Sequence, residues 1–537
     1  MTMRRFLFST ALSFVLFSSL SVRAAEPATY TNPILYADYS DPDLIRVGGD
    51  YYMVASSFHF SPGIPVLKSR DLVHWAIVGH VLPKLPFAPE YDMPGPFQLD
   101  DTKSKPVDGT RYASGVWAPS IRHHDGLFYV YWATPDEGVF MSTAKKAEGP
   151  WNSPVQVIAK PKLEDPCPFW DDDGTAWLVH SVVGAGPIIL HRMSPDGKSV
   201  LDEGKIIIQD KENLPILEGP KLYKRNGFYY IFAPIGGVEK GVQVALRARS
   251  IQGPYEWQVV LSQGSTALEG PHQGGWVETP SGQGWFAHFN STGAFGRIVH
   301  LQPVEWVDDW PVMGIRLAGT YGGEPVATHP MPDTGVAPTN DRLQDSDEFA
   351  AKSLGLQWSW NHNPNDKAWS LSARPGFLRL TAGKAEQITT ARNTLTQILQ
   401  GPDRRITARL DISRLTDGQR AGLSLFGVRP SWIGVSQEGG RRYLTLSSAG
   451  VETRGDALNG KTVQLRAEVT EDQKVRYAYS LDEGKSFRPF GDAIQLARFS
   501  WWKGSRPALF TFTRGEPGGV VDVDWMRLEP LSKGDAR

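Results

Sequence analysis

Three short acidic motifs stand before prolines in the first half of this 537-residue chain: Ser40-Asp41-Pro42-Asp43, Glu164-Asp165-Pro166 and Leu217-Glu218-Gly219-Pro220. Taken singly, each reads as a turn whose carboxylate bonds its own backbone. Taken together at one or two places before a proline, they are the residue types that hydrolyse a glycosidic bond. One ionised carboxylate draws a proton from water while a protonated one delivers a proton to the departing oxygen. A third carboxylate close by disfavours ionisation of the acid and keeps it loaded near neutral pH. That chemistry needs all three acids in one place.

The elements that could bring them together are visible as a repeat. A turn followed by an aromatic-rich alternating strand recurs five times, beginning at Gly49, Gly126, Gly174, Gly227 and Gly284. The turns Asp125-Gly126, Asp173-Gly174 and Asn226-Gly227 are strong hairpin signals. From Gly126 onward the steps are 48, 53 and 57 residues, and Pro83 to Ser114 reads as a loop inserted in the longer first step. About fifty residues and several short strands per copy is the arithmetic of a propeller blade. Pro42, Pro119, Pro166 and Pro220 precede their turn glycines by 7, 7, 8 and 7 residues, so they open equivalent strands. Innermost strands surround one channel, and Asp41, Asp165 and Glu218 at their starts should converge there. Glu269 stands similarly before Pro271, but in a looser copy, and ranks below the other three.

Composition agrees with an all-β reading. Gly 54 and Pro 40 supply turns, and Trp 18, Tyr 17 and Phe 24 suit strands and aromatic-lined sites. A net charge of -2 offers no electrostatic footprint for nucleic acid. After Ile315 the repeat ends: 319–341 is rich in Gly, Pro and Thr and reads as a linker, and 342–537 shows alternating strands without blade-length periodicity. The expected architecture is a five-bladed β-propeller over 28–318 followed by a β-sandwich.

In order along the chain, several motifs resemble glycoside hydrolase family 43. They are Tyr30-Thr31-Asn32-Pro33-Ile34, Ser40-Asp41-Pro42-Asp43, Val116-Trp117-Ala118-Pro119, Glu164-Asp165-Pro166 and Glu218-Gly219-Pro220. Gly296-Arg297-Ile298-Val299 and Glu305-Trp306-Val307-Asp308-Asp309-Trp310-Pro311 close the set. The resemblance implies an inverting glycosidase acting on pentose-containing plant polysaccharides, a β-xylosidase first and an α-L-arabinofuranosidase close behind. By the same resemblance Asp41 is the base that activates water and Glu218 the acid, while Asp165 orients Glu218 and raises its pKa. Arg297 matches an arginine that donates to sugar hydroxyls, with a surface ion pair as its plainer alternative. Phe58 and Trp117 match aromatic walls of the sugar site, where core packing is the alternative.

His272, in Gly270-Pro271-His272-Gln273-Gly274, matches a histidine at the propeller centre that lies beside a structural calcium in many relatives. Calcium prefers oxygen ligands, so water would complete its shell; a satisfied core histidine is the rival. No organic cofactor is expected. The second domain resembles the concanavalin-like sandwich attached to some members, which lends an aromatic residue to the pocket mouth; Trp501 or Trp502 could fill that role. A binding propeller without catalysis is the reading from another class, and the presence of all three acids argues against it.

Residues 1–24 read as a signal peptide: Arg4 and Arg5, the apolar stretch Phe6 to Leu20, then cleavage after Ala24. Export to the periplasm or beyond is expected, with no membrane attachment after cleavage; a membrane anchor is the alternative. The single cysteine, Cys167, forbids an intrachain disulfide and reads as a small buried hydrophobe. The expected partner is an oligosaccharide or polysaccharide. The sequence gives no indication of oligomeric state, of which pentose is removed or of its linkage.

Overall fold

The computed structural model describes residues 28–95, 97–99, 107–498 and 500–531. Residues 1–24, expected to be a signal peptide, lie outside the described residues. Two all-β domains make up the rest.

Five antiparallel sheets form the blades of a propeller. Their inner strands are Asp43–Val47, Trp117–His124, Leu163–Trp170, Lys221–Arg225 and His272–Glu278. Each inner strand turns back into an apolar second strand, such as Leu127–Thr134 or Phe228–Ile235, whose side chains fill the space between blades. Three of the five inner strands carry a local defect. Pairing slips between Glu164 and Cys167 in the third blade and between His272 and Gly274 in the fifth. In the second blade it slips across Ala118-Pro119. Proline has no N–H to offer the ladder, so Pro119 and Pro166 sit at these bulges without leaving a donor unpaired.

One residue at or just before each inner strand has positive φ: Asp41 (54°), Ala118 (24°), Asp165 (56°), Gly219 (60°) and Gln273 (38°); in the first and fourth blades it precedes a strand whose pairing is regular. The fifth blade therefore differs from the expected alignment. Gln273 is the equivalent position, and the turn glycine is Gly282, with φ 84°, not Gly284. Glu269, ranked below the other acids, is exposed and lies before the strand.

The segment after the last blade is not a free tether. Ile315–Arg316 and Gly323–Glu324 extend the fourth blade's sheet, and Thr328–Pro330 pairs with Thr29–Thr31. The second domain packs two sheets around a core that includes Leu423, Ile433, Leu465 and Leu509. One of those sheets is completed by the propeller: Phe60–Ser61 pairs antiparallel with Ser359–Asn361. The insertion before Ser114 docks there too, with Tyr112 Oη donating to Thr389 O and Leu85 N to Asn363 Oδ1. No helix among the described residues is long and apolar enough to cross a membrane.

Candidate active site

The starts of the inner strands bring their side chains to one cavity of about 370 Å³. Asp41, Asp165, Glu218, Phe58, Trp117 and Arg297 all line it. Glu164, Gln273 and Trp502 line it as well.

Asp41 is held from two sides. Arg297 Nη1 donates to its Oδ1 at 2.7 Å and Ser56 Oγ to its Oδ2 at 2.5 Å. Ser56 Oγ in turn accepts from the N–H of Ala118 at 2.7 Å, which ties the first blade to the second. Arg297 is buried, so the surface ion pair does not describe it.

Across the cavity Glu164, Asp165 and Glu218 bring carboxylate oxygens within 4.8 Å of one another. Asp165 Oδ2 accepts the N–H of Gly219 at 2.7 Å, which fixes it against the residue that follows Glu218. Gly219 cannot be exchanged freely: a Cβ there would lie 2.8 Å from Cγ and Cδ of Gln273. Burial raises the Asp165 carboxyl above the usual range, and the charges of Glu218 and Asp41 add to the rise. Burial raises Glu164 further, with Asp165 and Glu218 beside it. Carboxyls this close disfavour one another's ionisation, which adds to the effect of burial at Glu164 and Asp165. The buried Lys221 ammonium, bonded to Ser120 Oγ at 2.8 Å, opposes the rise at Asp165.

Phe58 and Trp117 meet edge to face with centroids 6.3 Å apart, and Trp502 approaches Trp117 at 6.1 Å. Trp502 is thus the aromatic that the second domain contributes. Trp501 is instead buried, stacked on Tyr112 at 3.9 Å in the interdomain core. Cys167 is buried, and its Sγ accepts from Arg122 Nη2 at 2.9 Å and from Leu222 N at 3.3 Å.

His272 is fully buried behind the acids, with Nε2 3.2 Å from Glu218 Oε1. Its Nδ1 has no hydrogen-bond partner among the described residues. Nor does it belong to any group of three His, Cys, Asp or Glu donors among them. An orphaned ring nitrogen fits a metal that takes one donor from the protein and the rest from water; it does not fit a cage of protein oxygens.

Glu164 was the acid not singled out beforehand. It is adjacent to Asp165, and successive strand residues normally face opposite ways, which hid it. The bulge between Glu164 and Cys167 cancels that alternation and turns both acids towards the cavity.

Comparison with known proteins places these features in a family. The model for glycosyl hydrolases family 43 matches residues 30–311, and that for the beta xylosidase C-terminal concanavalin A-like domain matches 346–529. A protein of Xylanibacter ruminicola is 42% identical, covering 90% of this chain and 86% of its own. A beta-xylosidase of Formosa agariphila is 34% identical over 93% of this chain and 90% of its own. A non-reducing end alpha-L-arabinofuranosidase of Bacteroides ovatus is 32% identical over 67% and 66%. Among solved structures, a bifunctional GH43-CE protein of Bacteroides eggerthii superimposes with a TM-score of 0.82 at 32% identity. The match covers 94% of this chain and 64% of that longer one.

Proposed function

This chain belongs to glycosyl hydrolase family 43 and is a glycosidase, and from that premise we propose that it is an exported, inverting β-xylosidase. It removes xylose from the non-reducing ends of xylo-oligosaccharides or from xylan side chains. The observation that carries the reading is the pairing of Asp41, clamped by Arg297 and Ser56, with the cluster of Glu164, Asp165 and Glu218 carboxyls in one cavity.

In this reading the Asp41 carboxylate takes a proton from a water molecule, and that water attacks the anomeric carbon from the face opposite the leaving group. Glu218 gives its proton to the glycosidic oxygen as the bond breaks. Asp165, anchored to Gly219 N, positions Glu218. Arg297 serves both Asp41 and a sugar hydroxyl. Phe58, Trp117 and Trp502 wall the sugar, and the closure of one side by Trp502 supports attack at chain ends. A calcium ion, with His272 as the protein's donor, would add positive potential behind Glu218. Export rests on the N-terminal signal pattern alone.

Arabinofuranose is the second reading, favoured by the name of the Bacteroides ovatus relative. Aryl β-D-xylopyranoside and α-L-arabinofuranoside, assayed side by side, separate the two. NMR of the first product should show the α-anomer of xylose from the β-xyloside; β-xylose first would rule out inversion. Asp41→Ala should lose most of its turnover on every leaving group, whereas Glu218→Ala should recover part of it on leaving groups that need no proton. Full activity of Asp41→Ala on such substrates would remove it from the base role.

A further inference from the structure

Lys503 is a lysine of the second domain buried inside the first. It is 1% exposed, and its ammonium sits beneath the loop that carries Asp41. Nζ donates to Asp38 O at 3.1 Å and to Ser56 O at 3.0 Å, and lies 3.4 Å from both Ser40 Oγ and Asp38 Oδ2. These are the residues that hold the proposed base. Ser56 is the residue whose hydroxyl donates to Asp41, and Ser40 is its chain neighbour. Asp38 accepts the N–H of Arg297 through Oδ1 and that of Gly504 through Oδ2. The chains approach closely here, since a Cβ on Gly296 would stand 2.7 Å from Gly504 N and one on Gly504 2.6 Å from Gly296 N.

We infer that Lys503 is a positioning residue for Asp41, acting through Ser56 and Ser40, so that the sandwich domain completes the site of the base as well as the rim of the pocket. The inference rests on the reading of Asp41 as base. A buried ammonium needs several acceptors, and here four oxygens from the Asp41 loop and its neighbours supply them. Satisfying the lysine therefore fixes those oxygens, and Asp41 with them. Burial pulls the ammonium down to about 8, with Arg506 and Arg297 adding to the fall and Asp38 and Asp41 opposing it. Simple interdomain adhesion would not require a charge at this spot. An apolar side chain could fill the space without desolvating an ion.

The test uses the full chain with Lys503→Gln, Lys503→Arg, Ser56→Ala and Asp41→Ala, each checked for folding by thermal melting. Lys503→Gln should lower kcat by on the order of 10²-fold with KM nearly unchanged, the loss expected when a catalytic group is misplaced by ~1 Å. The loss should be equal on good and poor leaving groups, because the acid is untouched, and Lys503→Arg should recover part of it. A folded Lys503→Gln with wild-type kcat, or with only KM altered, would overturn the inference. If Lys503→Gln does not fold, Ser56→Ala carries the test. The same loss is expected there, and wild-type kcat would break the link between lysine and carboxylate. Asp41→Ala separates the two claims. If it keeps wild-type turnover, the base assignment itself fails. If it is inactive while the Lys503 and Ser56 variants behave as wild type, only the positioning role falls.

Discussion

Asp41 and Asp165 both occupy left-handed backbone positions, at φ 54° and 56°. That region costs most L-residues roughly 1–2 kcal/mol, and aspartate tolerates it better than most because its short side chain bonds locally. Burial of like charges is the other cost carried by these residues, and it can be measured at Glu164. Its carboxyl is raised by burial first, then by Asp165 and Glu218. A raised folded-state value means the protonated form is favoured by folding. The associated stability is complete below the ordinary carboxylate range and is lost as pH rises through the folded value. Glu164→Gln, which mimics the neutral acid, should therefore be more stable than wild type at pH 7–8, by on the order of 1–3 kcal/mol, each pKa unit being worth ~1.4 kcal/mol. At pH 4 the difference should vanish. Chemical denaturation at the two pH values decides this, and a variant less stable at pH 8 would show Glu164 to be charged and paired.

At the scale of elements, a left-handed residue at the start of each inner strand is what converts a propeller into an active site. In three blades it sits in a bulge that interrupts the two-residue alternation, and in the other two it precedes a regularly paired strand. Four of these positions could be read in advance, because a proline marks each one. The fifth could not. In His272–Glu278 the bulge falls at Gln273, where no proline stands, and Pro271 lies two residues earlier as a misleading marker. The register of a bulge is set by packing across blades, and that leaves no local trace. Lys503 was illegible for a related reason: the partners of its ammonium are more than 440 residues away in the chain; Trp502 was offered only by the resemblance, as one of two adjacent tryptophans. Gly219 tests this ring of left-handed residues directly. Gly219→Ala combines a φ of 60° with a Cβ only 2.8 Å from Gln273 Cγ. It should cost at least about 1–2 kcal/mol of stability from the backbone alone. Because Gly219 N holds Asp165, kcat should fall more than KM rises. Unchanged stability and kcat would mean that the ring does not depend on a glycine there.

At the scale of the whole molecule, the question is whether two domains fold as two units. Each has its own core, and a chain with a Gly- and Pro-rich connection would ordinarily be expected to come apart there. The interface argues otherwise. Phe60–Ser61 is a strand of the sandwich sheet, although it lies in the connection between two strands of the first blade. Phe60 and Tyr112 from the propeller share a buried cluster with Phe426, Trp432, Trp501 and Phe510 from the sandwich. Arg506 is buried over the Phe60 ring, 3.9 Å from its centroid, and donates to Ser359 Oγ. Removing the second domain would expose this cluster and leave the backbone of Phe60–Ser61 without its strand partner, with the edge open to aggregation. The full chain should therefore unfold in urea as one cooperative transition, with intrinsic fluorescence and far-UV circular dichroism coincident. A fragment ending at Asn340 should be insoluble or, if recovered, should lack measurable kcat on an aryl xyloside, since it has lost Trp502 and Lys503 together. Two resolved transitions in the full chain, or a soluble fragment that turns over substrate normally, would show that the sandwich is an appendage.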